Sequence, residues 1–535
     1  MAGVRAAFAL SSALSFAAAF FVSCSARETA RPAPEQPRAQ ASLPKLAVAV
    51  HSEPVVAAAV VAPLAAVAPL TEAAPLTEAA EPSEPADASG ALQPTEPSDE
   101  GPSLIAIARE TLIYERPSFH SHKIGYLRAG ARVRRDPEPA GHEECKLGFY
   151  RVMPGGYVCV GLAATLDPNH PIAQFSRVRP DRSAPLPYRY GRSLYPTPPF
   201  YSRLPTSAEQ QVSEVELARH LSANTAYAWR DTLSDPTPAF LENGGQAPVP
   251  FGLEHQSHDL VQGRAVADSS FALLGVYDHQ GRRFGLTTGM SLVPMDRLKP
   301  VVASTFQGVA LGGDFSLPLV FVRSKAAFLY TSTAGGGVAL GRALGYREAL
   351  SLSGQSRRVG GVTYLETKSG ELVRDENLVS VDKFQQRPGW VKPGRSWLHV
   401  SILKQTLVAY EGETPVYATL VSTGADGMGD PATTHSTARG VFLIHTKHVT
   451  ATMDNDEVGD EFDLPDVPYV QYFTEGFALH AAYWHDAFGQ PHSHGCVNLA
   501  PLDARWLFHW TDPPVPQAWH GAMSLRGGTL VYVSP

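Results

Sequence analysis

Hydrophobic residues fall into three regimes along the chain. Ala6–Val22 is an apolar run without a charge, behind the short basic start Met1–Arg5. Val55–Leu70 is apolar again, but Pro63 and Pro69 cut it, and it is shorter than the roughly 20 residues a membrane helix needs. From Ile105 to about Leu162 short strand-like runs dominate: Thr111–Tyr114, Lys123–Leu127, Arg132–Arg135, Phe149–Met153 and Tyr157–Val160. Pro117, Gly130 and Gly155-Gly156 punctuate them, which predicts a small β-barrel. Thr206 with Glu209 forms a capping-box pattern, and Val212, Val215, Leu217 and Leu221 then give a helical stripe. A strand is predicted at Phe271–Tyr277. Leu317 to Val381 echoes the first β region: Ala327–Tyr330, Leu340–Leu344 and Val362–Glu366 repeat its early, middle and late strands. Beyond Arg395 the signals strengthen. Trp397–Ile402 alternates, followed by Gln405–Tyr410, Val416–Ser422, Gly440–His445, Phe477–His480 and Leu530–Val533. Asp503–Trp510 reads as the one short helix of this part.

Composition narrows the class. The chain has 535 residues, which predicts about three to four domains at roughly 100–200 residues each. A formal net charge of −8 argues against a general nucleic-acid binder, which needs a basic face. An apolar share of 44% is enough for packed cores. Residues 25–101 are rich in Ala, Pro, Glu, Val and Ser and repeat Pro-Leu-Thr-Glu-Ala at Pro69–Ala73 and Pro75–Ala79, the pattern of an extended, disordered tether.

Four cysteines, Cys24, Cys145, Cys159 and Cys496, are too few for a disulfide scaffold. Residues 1–24 have the layout of an export signal. Phe21-Val22-Ser23-Cys24 resembles a bacterial lipobox, whose cysteine is lipidated; that resemblance implies an exported, periplasmic lipoprotein with Cys24 as its membrane anchor. Cys145 and Cys159 flank the last hairpin of residues 102–166 and are expected to pair in an oxidising compartment. Residues 102–166, through Tyr114-Glu115-Arg116-Pro117, Ile124-Gly125-Tyr126-Leu127 and Gly130, resemble a bacterial SH3-like domain. Residues 303–385 are read as a second such module, and residues 167–302 between them as a bridge of unknown fold.

Cys496 has no local partner in the last segment, so it calls for another role. It stands in Ser493-His494-Gly495-Cys496-Val497-Asn498, and His480 precedes it by enough chain for a strand, a loop and a return. A thiol near an imidazole is a nucleophile. Gly495 lets backbone approach a substrate carbonyl, and N–H groups around Gly495 and Cys496 are candidates to hold an oxyanion. This segment resembles the L,D-transpeptidases with the YkuD-type catalytic domain. Val400–Leu407, Val421-Ser422-Thr423-Gly424, Thr437-Ala438-Arg439-Gly440-Val441-Phe442 and Gly476–His480 match further family elements, with Ala438 in place of a proline and Ala481-Ala482 in place of a Gly-Thr or serine after the histidine.

The resemblance implies a mainly β, multi-domain chain: SH3-like barrels, then a YkuD-type β-sandwich with short helices at residues 395–535. It implies an acyltransferase that needs no cofactor or metal and acts on peptidoglycan stem peptides. Cys496 would form the thioester, His480 would accept and return the proton, and Ser493, His494, Gly495 and Asn498 would support the site. Tyr483 and Trp484, next to His480, are candidates to line the pocket. The alternatives are a zinc-binding hydrolase built on His492-x-His494-x-Cys496 and a non-catalytic wall-binding envelope tether. His485, His509 and His520 read as surface or core. The acidic stretch from Asp454 to Asp466 reads as part of a solvated lid between Thr446 and Pro468.

Overall fold

A computed structural model describes residues 101–173, 179–223, 229, 232–253, 259–384, 388–455, 462–474, 476–524 and 526–535. The signal and lipid-anchor reading of residues 1–24, with Cys24, and nearly all of the tether reading fall outside the described residues. The described part is mainly strand with short helices.

Upstream of the last segment one seven-strand arrangement occurs three times. Its second copy runs Arg189–Ser193, Pro199–Tyr201, Val261–Arg264, Ser270–His279, Arg282–Thr287, Leu292–Pro294 and Leu298–Pro300. Its third runs Leu319–Val322, Phe328–Ser332, Val338–Ala343, Ala349–Val359, Val362–Thr367, Leu372–Arg374 and Leu378–Val381. In both, counted along the chain, the strands lie in the order third, second, sixth, fifth, fourth, first, seventh. Residues 103–165 make the same neighbours, with the fourth and fifth strands meeting at one bridge, Arg135 with Val152. The region read from sequence as an unclassified bridge is therefore a module of the same topology. Its period is hidden by the insertion between Tyr201 and Val261, which carries the helices.

Local chemistry repeats with the topology. Gln280-Gly281 and Gly360-Gly361 both turn with positive φ at each residue, as a two-residue hairpin turn requires. Thr287 Oγ1 accepts from the Ser291 N–H (3.3 Å), and Thr367 Oγ1 accepts from the Glu371 N–H (3.1 Å). The expected helical stripe divides into two short helices, Ser207–Ser213 and Leu217–Ala223, with the capping box of Thr206 and Glu209 in place. Val212 is 90% exposed. Buried Glu214 breaks the helix because it leaves the axis to pair with Arg282 and Arg297.

The last segment is built of strands β1 (Ser396–Ser401), β2 (Thr406–Glu411), β3 (Thr414–Ser422), β4 (Gly440–Leu443), β5 (Thr446–Asn455), β6 (Phe462–Thr474), β7 (Phe477–Ala481) and β8 (Val497–Leu499), helix α1 (Pro501–Trp510), and strands β9 (Gly521–Met523) and β10 (Leu530–Ser534). They hydrogen-bond in the order β4-β10-β1-β2-β3-β8-β7-β6-β5-β9. β1/β10 and β7/β8 run parallel. The sheet does not stop at β9. Gly521 and Ala522 pair with Tyr126 and Gly125 of the first module, so the two sheets are continuous. A Cβ on Gly125 would lie 2.5 Å from the Gly521 carbonyl oxygen, so only glycine allows that approach.

β5 and β6 form a long hairpin, paired from Thr446 with Tyr472 out to Asn455 with Phe462. For the described residues this corrects the expectation of a solvated lid; positions 456–461 of the acidic run lie outside them. Ala451, Met453, Leu464, Val467 and Val470 give the hairpin an apolar face that packs with Ala478, Trp484 and Cys496. Part-way along it sits Asp466, 1% exposed and at φ +57°. Arg128 of the first module binds its carboxylate with two guanidinium nitrogens, Thr288 of the second donates to it, and Thr450 donates at 2.6 Å. Tyr190 of the second module donates to its main-chain carbonyl at 2.7 Å.

Candidate active site

The two parallel strands β7 and β8 place the chemistry. Their register sets Leu479 against Val497 and His480 against Asn498. Side chains alternate along a strand and paired residues share a face. His480 and Asn498 therefore share one face; Cys496 stands one residue ahead of β8 and packs in a cluster with Ala478 and Trp484, and the Trp484 ring stacks on His480. The sequence motif and its distant histidine are one cluster in space.

His480 is 2% exposed. Its Nδ1 lies 3.3 Å from the Ala481 carbonyl oxygen. A carbonyl only accepts, so the proton sits on Nδ1 and Nε2 is left as a basic acceptor. The imidazole is thus oriented by main chain, and the alanines that replace the family's residues leave that device intact. The Trp484 ring stacks on it at 5.7 Å and 30°. Burial pushes the His480 pKa down to about 4, against a smaller upward pull from the Ala481 carbonyl.

Cys496 is the free cysteine of the described residues, half-buried, with its thiol donating to the Gly476 carbonyl at 3.7 Å. Burial pushes its pKa up to about 11. Thiol and imidazole are accordingly both neutral at rest. Cys145 and Cys159 form the expected disulfide, with Cα atoms 5.9 Å apart.

The loop before Cys496 is held from several sides. Ser493 Oγ donates to the Cys496 carbonyl and accepts from the Gly495 N–H at 3.1 Å. The Gly495 amide, a candidate oxyanion donor from sequence, is therefore engaged in this state. Thr437 Oγ1 donates to the Gly495 carbonyl at 2.7 Å and accepts from the Gly424 N–H at 2.9 Å. Gly495 sits at φ +119°, and a Cβ there would lie 2.9 Å from the Phe477 ring. The His492 and Ser493 N–H groups both donate to the Thr423 carbonyl. Gln405 fixes Thr423 in turn, accepting from its N–H at 2.8 Å.

His494 is exposed, with its ring 4.6 Å from that of His435. Asn498 meets His485, read from sequence as surface or core, at 2.9 Å. The Ala487 N–H donates to His485 Nδ1 at 3.1 Å, which leaves the ring proton on Nε2 and implies that Asn498 faces it through its oxygen. His485 thus supports the site through Asn498. Its local signal was the density of histidines, which does not say which of them point inward.

Tyr483 corrects one expectation. It does not line the pocket but is buried against Tyr190 of the second module, ring to ring at 4.8 Å. Consecutive residues of an extended chain point opposite ways, and Trp484 takes the side of His480. Among the described residues no group of three His, Cys, Asp or Glu side chains is placed to hold a metal ion.

No curated protein matches the chain. Among solved structures, it is similar to the catalytic domain of an L,D-transpeptidase from E. faecium, with 22% identity, 26% of this chain and 98% of that one covered, and a TM-score of 0.21. An L,D-transpeptidase from Xylanimonas cellulosilytica has 23% identity over 28% of this chain and 65% of that one, TM-score 0.20. L,D-transpeptidase 3 from Mycobacterium tuberculosis, solved with a faropenem-derived adduct, has 20% identity over 34% and 78%, TM-score 0.21. Residues 395–533 match the YkuD family, the L,D-transpeptidase catalytic domain, and His480, Cys496 and the loop that holds them all lie inside that match.

Proposed function

We propose that the chain is an L,D-transpeptidase that acts on peptidoglycan stem peptides through a Cys496 thioester. The observation that carries this reading is the packing of Cys496, just ahead of β8, with Trp484, which stacks on His480, whose Nε2 is left as an acceptor by the Ala481 carbonyl.

The Cys496 sulfur attacks the carbonyl carbon of the diamino acid at position three of a tetrapeptide stem. Its proton passes to His480 Nε2 and then to the nitrogen of the departing D-alanine as the amide C–N bond breaks. An acceptor amine attacks the thioester carbonyl, His480 takes the amine proton, and the sulfur leaves to be reprotonated. A stem amine as acceptor gives a 3→3 cross-link; a free D-amino acid or a protein amine gives exchange or attachment. The repeated β modules, read as SH3-like, hold the catalytic domain near the wall, and residues 1–24 direct export, with Cys24 as a periplasmic lipid anchor and residues 25–101 as the tether.

The test is incubation with labelled tetrapeptide muropeptides and product identification by mass. Cross-linked or exchanged products that disappear in Cys496→Ala are expected, as is a carbapenem adduct on Cys496. Folded protein that forms neither product nor adduct sinks the reading.

A further inference from the structure

A cavity of about 750 Å³, whose lining includes neither His480 nor Cys496, lies where the first module, the second module and the β9 end of the catalytic sheet meet. Its lining is strongly basic in a chain whose net charge is −8. Arg109, Arg132, Arg134 and Arg179 line it and make no ion pair among the described residues. Asp181 is the one carboxylate of the lining, and Ser183 already donates to it twice. Arg182, on the same lining, is held by its terminal nitrogens to the Val515 and Pro516 carbonyls. The rest of the lining sets an apolar patch with Leu253, Leu274 and Met290 beside polar Tyr188, Thr288, Gln517 and His520.

We propose that this cleft is a second binding site, for an anionic, acceptor-rich ligand, and that its occupant is the carboxylate-bearing stem peptide of a further wall strand. Guanidinium groups match carboxylates in a two-pronged geometry. The apolar patch receives the methyl groups of a stem peptide, whereas a uniformly charged phosphate polymer offers it nothing. The choice of occupant rests on the reading of Cys496 as a transpeptidase nucleophile; the anionic character of the ligand does not.

The experiment is calorimetric titration of the full chain carrying Cys496→Ala with a soluble disaccharide-tetrapeptide. Two binding events per chain are expected, one of them weakened about tenfold or more in Arg132→Gln/Arg134→Gln and equally by Arg109→Gln/Arg179→Gln, each variant checked for an unchanged thermal midpoint. A single event in the parent, or affinities unmoved in both double variants, overturns the proposal. Esterified muropeptide should lose the second event, and a glycerol-phosphate oligomer that binds there more tightly than the muropeptide overturns the choice of occupant. Turnover by the unaltered chain is read separately. Two binding events without turnover sink the Cys496 reading alone, and turnover with one event sinks the cleft alone.

Discussion

The resting state of Cys496 is the sharpest quantity to test. Burial holds the thiol near 11, against 9.0 for an ordinary cysteine on the same scale, while His480 stays neutral down to about 4. Between those values neither group is charged, so the resting site is a neutral thiol beside a neutral imidazole. A rise of about two units lowers the thiolate fraction near neutral pH by about 100-fold. Intrinsic nucleophilicity rises with pKa at a slope of roughly 0.4–0.5, which returns about tenfold. The folded chain should therefore react with iodoacetamide at pH 7.5 about tenfold more slowly than the same cysteine in urea. Its rate should climb about tenfold per pH unit from 7 to 10 without levelling. The assay is a stopped alkylation series with intact mass as readout, with the disulfide left oxidised. A plateau below pH 8, or a folded rate above the denatured one, refutes the neutral pair and indicates a thiolate–imidazolium ion pair instead. Under the proposed mechanism, a neutral pair gives His480 the task of receiving the proton as the sulfur attacks rather than of storing a charge.

Other outcomes follow from the same geometry. His480→Ala should slow carbapenem acylation of Cys496 by roughly 10²–10⁴-fold, the usual worth of a positioned base, while alkylation at pH 10 changes little; both are read by mass. Gly495→Ala forces a side chain into φ +119° and onto Phe477, and should cost about 1–3 kcal/mol in urea unfolding along with most of the turnover. Asp466→Asn should cost about 3 kcal/mol, because it leaves Arg128 without its carboxylate. Burial raises the Asp466 pKa, but the Arg128 charge and the donated hydrogen bonds outweigh it and hold the group below its ordinary 3.8. That stability is present above the unfolded value and is lost as pH falls below it. Urea midpoints for the parent should therefore drop on acidification below about pH 4, more steeply than for Asp466→Asn.

The cluster of His480 with the Cys496 loop was legible because its parts lie close in sequence and each has distinctive chemistry. Ser493 to Asn498 and His480 needed only one parallel strand pair between them, and β7 and β8 supply it. The disulfide was legible for the same reason. What escaped depends on partners distant in the chain. Tyr483 looked like a pocket residue because it adjoins His480, yet Tyr190 decides its place. Asp466 looked like one more acid in a solvated run, and only Arg128 and Thr288, contributed by two other modules, make it a buried anchor. The second module escaped because a helical insertion separates strands that the other copies hold close, so periodicity over a short window shows a helix and a strand but not a repeat.

These long-range contacts change what the catalytic segment is. Leu104, Val133 and Val152 of the first module share one hydrophobic cluster with Leu398, Val449 and Leu479 of the catalytic segment, so that core is not complete within either. Pairing of the first module with β9 covers a strand edge that would otherwise present free N–H and carbonyl groups. Pairing of Val309-Ala310, just ahead of the third module, with β3 adds a further strand beside the sheet. Part-way along the hairpin, Arg128, Thr288 and Tyr190 reach Asp466 from two different modules, and the apolar face of that same hairpin rests on Cys496. A chain cut ahead of residue 395 would keep His480 and Cys496 but would lose every upstream group that holds Asp466. It would leave the Asp466 carboxylate without its cation on the very strand whose Leu464, Val467 and Val470 pack with Cys496. The upstream modules therefore bear on Cys496 through the hairpin, and their place in the fold is that of a frame for the segment that carries it.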